Sequence, residues 1–239
     1  MLRLQIAESR KWLNCFLSLV YPASCINCGT SLYDHEKYLC LKCIHKLPAT
    51  GYEMYHDNPV ARMFWGRVSL RFAVSFFHYR KNESLRQLIR MLKYHNEPQI
   101  GIMLGKMSGL KLLKSPYYEK PDLIIPVPLH PERQRKRGYN QCEMIAEGLS
   151  AVIQVPIEST LLLRARNNSS QTTHSGYERW ENVEDVFATS QGEKYTGKHL
   201  LIVDDVVTTG ATIEACCQTL LKDIPNIRLS AVSLGYSHQ

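Results

Sequence analysis

The stretch His199–Ile213, HLLIVDDVVTTGATI, decides the fold. Leu200, Leu201, Ile202 and Val203 form an apolar run that suits a strand buried on both faces. The run leads straight into two adjacent carboxylates, Asp204 and Asp205, and then into Thr208, Thr209, Gly210 and Thr212. Behind the turn, Ile213, Cys216, Cys217 and Leu220 fall on one helical stripe. The unit therefore reads strand, acidic pair, hydroxyl-rich turn, helix. A helix N-terminus offers free N–H groups and the positive end of a dipole, which favours a phosphate. Gly210 permits close backbone approach, and the threonine hydroxyls add donors. Ionised carboxylates only accept hydrogen bonds, so the pair suits two neighbouring sugar hydroxyls. A ribose bearing a 5-phosphate satisfies both halves. A Walker-type loop is excluded because no Gly-Lys-Ser/Thr follows. The competing reading is a plain buried strand capped by threonines.

Working outward, strand and helix patterns alternate. Leu70, Phe72, Val74 and Phe76 alternate as a strand, and Leu85, Leu88, Ile89 and Leu92 keep helical spacing. Ile100, Met103, Leu104 and Met107 form a second helical stripe. Asp122–Val127 is a short apolar strand ended by Pro126, Pro128 and Pro131. Tyr139–Ile153 carries another helix, Val155–Leu161 a short strand, and Leu229–Leu234 a final strand. This alternation predicts right-handed crossovers and a parallel sheet covered by helices on both faces. Ligands of such sheets bind at the carboxyl ends of the strands. Asp204 and Asp205 sit at one such end, and Pro126–Arg137 follows another.

That second stretch, PVPLHPERQRKRGYNQ, joins a proline-stiffened loop to Arg133, Arg135, Lys136 and Arg137, with Asn140 placed to cap the next helix. Arginine forks grip phosphates bidentately, so the cluster suits a pyrophosphate. A solvated basic helix start and a nucleic-acid patch that tracks phosphates are the other readings. Between Leu163 and Phe187 the chain is polar and nearly free of aliphatic residues. It reads either as a lid, with Arg164, Gln171 and Arg179 placed to close over a pyrophosphate, or as a surface loop.

The chain of 239 residues bounds the remainder: one main domain over 70–239 with a small appendage. Hydrophobic content of 44% and charged content of 21% are those of a globular protein, and the net charge of +7 favours anionic partners. No apolar run reaches the length of a membrane span. Residues 1–21 read as an amphipathic helix that packs on the protein or lies on a membrane surface; charges at Glu8, Arg10 and Lys11 break any signal-peptide core. Four of the eight cysteines form Cys25-x-x-Cys28 and Cys40-x-x-Cys43 within residues 22–50. Two such knuckles supply four sulfurs, which suits a structural, tetrahedral zinc in a reducing cytoplasmic compartment, with a redox dithiol as the alternative. Cys15, Cys142, Cys216 and Cys217 lack this spacing, and the last two read as small core residues. Residues 51–69 read as a linker or docking segment.

The VDDVVTTGAT stretch closely resembles the signature for phosphoribosyl pyrophosphate (PRPP) of type I phosphoribosyltransferases. Taken with the four cysteines, LKYH at Leu92–His95, PVPLHPERQRKRGYNQ and the Gln171–Phe187 stretch, nearly the whole chain resembles the ComF family of competence-associated proteins. The resemblance implies a type I phosphoribosyltransferase-like fold. It places Asp204 and Asp205 on the ribose hydroxyls, and Val206, Val207, Thr208, Thr209, Gly210, Ala211 and Thr212 around the 5-phosphate. It also implies a pyrophosphate loop around Pro128, Leu129 and His130 with Arg133 and Arg137 beside it, and a hood carrying Arg164 and Arg179. PRPP with Mg2+ is the implied ligand and structural Zn2+ the implied metal. The implied setting is natural competence and DNA uptake, or nucleotide metabolism. A pentosyl-transferring enzyme is one reading. A nucleotide sensor, or an accessory protein working with single-stranded DNA and a competence helicase or recombination proteins, is the other.

Overall fold

The computed structural model describes residues 23–34, 36–80, 83–164 and 187–237. The expected helix over 1–21 and the site residues Gln171 and Arg179 lie outside them. The chain divides into two compact units, with the boundary between Leu47 and Pro48.

In the first unit, the backbone turns tightly twice. Cys25 N–H donates to Thr30 O at 2.8 Å and Gly29 N–H to Cys25 O at 2.8 Å, closing the first knuckle. Helix α1, Leu41–His45, opens on the second, where the N–H groups of Cys43 and Ile44 donate to Cys40 O. Among its described residues Tyr38, Leu39 and Leu47 are buried, as are Cys25, Cys40 and Cys43.

The second unit carries α2 (Pro59–Arg62), β1 (Ala73–His78), α3 (Glu83–Tyr94), α4 (Pro98–Leu112), β2 (Leu123–Pro126), α5 (Pro131–Arg137), α6 (Gln141–Ile153), β3 (Leu162–Arg164), β4 (Phe187–Thr189), β5 (His199–Val207), α7 (Ala211–Asp223) and β6 (Arg228–Tyr236). The main sheet has four parallel strands in the order β1-β6-β5-β2. Ile202 of β5 pairs with Ala231 of β6, and Ile125 of β2 with Ile202. Strand β5 is central and buried through Asp205, as its continuous apolar run predicts.

Side chains of a strand alternate between faces. One face, with Ile125, Leu200, Ile202, Leu229 and Ala231, packs on the α7 stripe of Ile213, Cys216, Cys217 and Leu220. Helix α6 covers the other side of β5 and β2, and α4 packs on α6. The parallel sheet flanked by helices is thus as expected. So is the core position of Cys216 and Cys217, both 0% exposed.

Two segments need a fuller description than the sequence allows. Within residues 51–69, Asn58, Val60, Ala61 and Phe64 are buried in the second unit, as a docking segment would be. Asn58 is buried, accepts from Val60 N–H and Ala61 N–H, and donates through Nδ2 to Ala73 O at 3.0 Å. Val60, Ala61 and Phe64 then pack into the α7 face. The helix at this point, Pro59–Arg62, is a single turn, too short for its spacing to stand out in the sequence. Val155–Leu161 contributes only one parallel bridge, Ile157 to Ile124. The strand proper is β3, which pairs antiparallel with β4 to form a separate two-stranded ribbon. Strands of three residues are too short for alternation to reveal them.

Candidate functional site

The carboxyl ends of β5 and β2 build the site. Strand β5 holds Asp204 and Asp205 in its last turn of pleat, both largely buried. Asp204 Oδ1 accepts the Asp205 N–H at 2.8 Å and the Cys142 thiol at 3.6 Å. Lys93 Nζ, from the last turn of α3, lies 2.8 Å from Asp205 Oδ2. Burial and the neighbouring Asp205 charge push the Asp204 carboxyl up to about 7. Burial works against the Lys93 ammonium, but the Asp205 carboxylate outweighs it and raises the Lys93 pKa. Burial and the two carboxylates push the Cys142 thiol well above its ordinary range, so it stays protonated and donates.

After Val206 and Val207 the chain leaves the sheet. Thr208, Thr209, Ala211 and Thr212 are exposed around the buried Gly210. Gly210 caps α7 at φ +80°, in the left-handed region, and a Cβ there would sit 3.0 Å from Phe64 Cε1. A small niche is lined by Asp204 and Val206–Ile213. Arg67 braces this loop from behind, donating to Thr209 O at 3.2 Å and to Met63 O at 3.1 Å, and pairing with Glu214. The helix N-terminus, exposed hydroxyls and glycine therefore meet as expected, next to the acidic pair.

The second strand end supplies the basic wall. Val127 N–H still pairs with Val203 O at 2.9 Å, after which the prolines turn the chain outward. Leu129 is buried. His130 caps α5, its Nδ1 accepting the Glu132 N–H at 3.3 Å. Asn140 caps α6 as expected, accepting the Cys142 N–H at 3.0 Å, and its Nδ2 donates to Val127 O at 3.0 Å. One side chain thus ties the proline loop to the helix that carries Cys142. A cleft of about 430 Å³ lies between α3 and α5, lined by Lys93, Tyr94, Asn96, Arg133, Lys136 and Arg137. Arg137 stacks over Tyr94, with its guanidinium carbon 5.8 Å from the ring centroid, and bonds Gln141. Arg164, on β3, is half-buried over Phe187, and burial and the nearby Arg133 charge lower its pKa.

Asp204, Asp205, Val206–Thr212, Arg133, Arg137 and Arg164 are thus gathered at the carboxyl edge of the sheet. Sequence reasoning passed over Lys93, Arg67, Asn58 and Cys142. Lys93 reads as an ordinary cation beside a helical stripe, because its partner lies on another element. Asn58-Pro59 was legible as a cap followed by proline at the first helical position.

In the first unit, Cys25, Cys28, Cys40 and Cys43 bring their sulfurs within 4.8 Å of one another. Cys28 Sγ and Cys40 Sγ are 3.7 Å apart, and Asn27 Nδ2 donates to Cys43 Sγ at 3.2 Å. Bonds of about 2.3 Å to a tetrahedral zinc would set sulfurs about 3.8 Å apart. The spacing fits that ion. The Thr30 hydroxyl and backbone hold the Cys28 thiol down to about 6. The Asn27 amide favours the Cys43 thiolate as well, but burial and the neighbouring sulfurs outweigh it and push Cys43 up to about 12. A bound metal ion would hold all four as thiolates.

A family profile described as "Phosphoribosyl transferase domain" matches residues 139–233. Competence protein F of Haemophilus influenzae is 29% identical over 210 residues, covering 83% of this chain and 90% of that protein. DNA utilization protein YhgH of Escherichia coli O157:H7 is 31% identical over 191 residues, covering 79% of this chain and 80% of that protein. Competence protein ComFC of Bacillus subtilis is 26% identical over 218 residues, covering 91% and 86%. Among the described residues no helix is long and apolar enough to cross a membrane.

Proposed function

This chain belongs to the ComF family, with a phosphoribosyltransferase-type domain, and from that premise we propose that it binds PRPP with Mg2+ in the handling of incoming DNA. One observation carries the reading: a buried acidic pair abuts a glycine-capped helix N-terminus ringed by exposed threonine hydroxyls, with a basic cleft on its other side. Asp204 and Asp205 accept from the two ribose hydroxyls. Thr208, Thr209, Thr212 and the N–H groups at the start of α7 receive the 5-phosphate. Arg133, Arg137 and Arg164 face the pyrophosphate, with the Pro128–His130 loop as its floor. Asp205 pairs with Lys93, and Asp204, once ionised, would be the carboxylate left to favour a divalent cation. Bound Mg2+ would neutralise charge on the departing pyrophosphate. No side chain need act as a nucleophile, since a nitrogen acceptor attacking the anomeric carbon would expel pyrophosphate. The four cysteines hold a structural zinc.

Calorimetry with PRPP and Mg2+ tests this. Binding is expected in the wild type and its loss in the Asp204→Asn/Asp205→Asn double variant; unchanged binding in the variant overturns the assignment. A screen of nucleobases for pyrophosphate release separates an enzyme from a sensor. The exposed basic helix α5 supports a second reading, a single-stranded-DNA accessory working with a competence helicase or recombination proteins. Such binding should weaken steeply with salt, because it would release counterions from the strand. Binding indifferent to salt excludes it.

A further inference from the structure

Lys93 belongs to two sites at once. Its ammonium lies 2.8 Å from Asp205 Oδ2, and the same residue walls the cleft shared with Tyr94, Asn96, Arg133, Lys136 and Arg137. The carboxylate is nearly sealed, at 8% exposure, whereas the lysine keeps 25% of its side chain open. None of the ion pairs among the described residues involves Arg133, Lys136 or Arg137. The cleft is therefore a pocket of cations without carboxylate partners, and Lys93 is the one member that has found an anion.

A buried carboxylate cannot lose its ammonium partner without other donors to satisfy it, because an unsatisfied buried charge is strongly destabilising. Sugar hydroxyls supply such donors to Asp205, and a phosphate in the cleft is the matching partner for the released lysine. A lysine's flexible four-carbon stem and point charge suit this change of partner. Resting on the PRPP reading above, we infer that Lys93 is a displaceable internal counter-ion: it neutralises Asp205 in the empty site and turns to the pyrophosphate when the ribose hydroxyls replace it. An exchange made alone leaves the displaced ammonium without an anion, so ribose 5-phosphate frees Lys93 at a cost that PRPP recovers through its pyrophosphate. The site thereby discriminates PRPP from ribose 5-phosphate.

The test uses the full chain. In wild-type protein, Lys93 acylation by an amine-reactive reagent, read by mass spectrometry, should rise severalfold with saturating ribose 5-phosphate, which frees the ammonium. It should fall severalfold with PRPP, which captures it. Equal reactivity with both ligands overturns the inference. Calorimetry of Lys93→Gln should show at least a tenfold loss of affinity for PRPP, with the affinity for ribose 5-phosphate unchanged or raised, since that ligand no longer has an ammonium to displace. Equal losses for the two ligands, or no loss for PRPP, overturn it. Lys93→Arg should recover part of the PRPP affinity. Wild-type protein that binds neither ligand overturns the PRPP reading and this inference together, whereas binding with no lysine effect overturns the inference alone.

Discussion

Asp204 carries the clearest residue-scale consequence. A carboxyl whose pKa is raised to about 7 on folding, from about 4 when unfolded, binds its proton more tightly in the folded chain. Its stability contribution is therefore fully present below pH 4 and is lost as the pH rises through 7. Ligand binding runs the other way. Sugar hydroxyls need an ionised acceptor, so PRPP affinity should climb between pH 6 and pH 8, and the climb should flatten in Asp204→Asn. Calorimetry at the two pH values measures it. Gly210 makes the second case. At φ +80°, with Phe64 Cε1 3.0 Å from the position of a Cβ, Gly210→Ala should cost about 1–2 kcal/mol in denaturant unfolding. It should also weaken PRPP binding, because the strain falls in the phosphate loop itself. Gly210 was legible from the sequence through its chemistry. Lys93 was not, since nothing in a helix pattern announces a partner contributed by a distant strand.

At the scale of elements, α4 and α6 approach so closely that their glycines interlock. A Cβ on Gly105 would meet Ile145 O at 2.2 Å, and one on Gly148 would meet Ile102 O at 2.2 Å. Gly148→Ala must push the helices apart, and a loss of about 3 kcal/mol in a denaturant titration is the expected result. Because α6 also carries Asn140 and Cys142, the shift should slacken the proline loop tied to Asn140 and lower ligand affinity as well. The elements most visible in the sequence are those whose burial is continuous or periodic: β5, β2, α3, α6 and α7. Those hidden from it are short or held by single residues. Phe64 lies just past a one-turn helix yet packs against Gly210, and β3 and β4 have three residues each. Their positions are set by tertiary contacts, which local pattern does not encode.

For the molecule as a whole, the two compact units rest on different physics. The second encloses an extensive apolar core, whereas the described residues of the first bury few apolar side chains around four thiols. Small units of that kind gain most of their folding energy from metal. Purified protein should contain about one zinc per chain. Chelation should expose the four thiols of Cys25, Cys28, Cys40 and Cys43 to a thiol reagent that does not react with them beforehand. Full reactivity without chelator would show that no metal is held.

The strand order has a consequence for how the chain is made. The first two strands synthesised, β1 and β2, end up on opposite edges of the main sheet and share no ladder. Each must wait for a partner, β6 or β5, that lies near the carboxyl end of the chain. Until that last portion leaves the ribosome, the nascent protein carries two apolar strands with open edges, a state prone to sticking and in need of chaperones. Closure then happens late and over long sequence separations, which makes it slow. The same late segment brings Asp204, Asp205 and the threonine loop, so sheet closure and arrival of the ligand cradle become one event. A chain interrupted before β5 would therefore lack both its architecture and its chemistry.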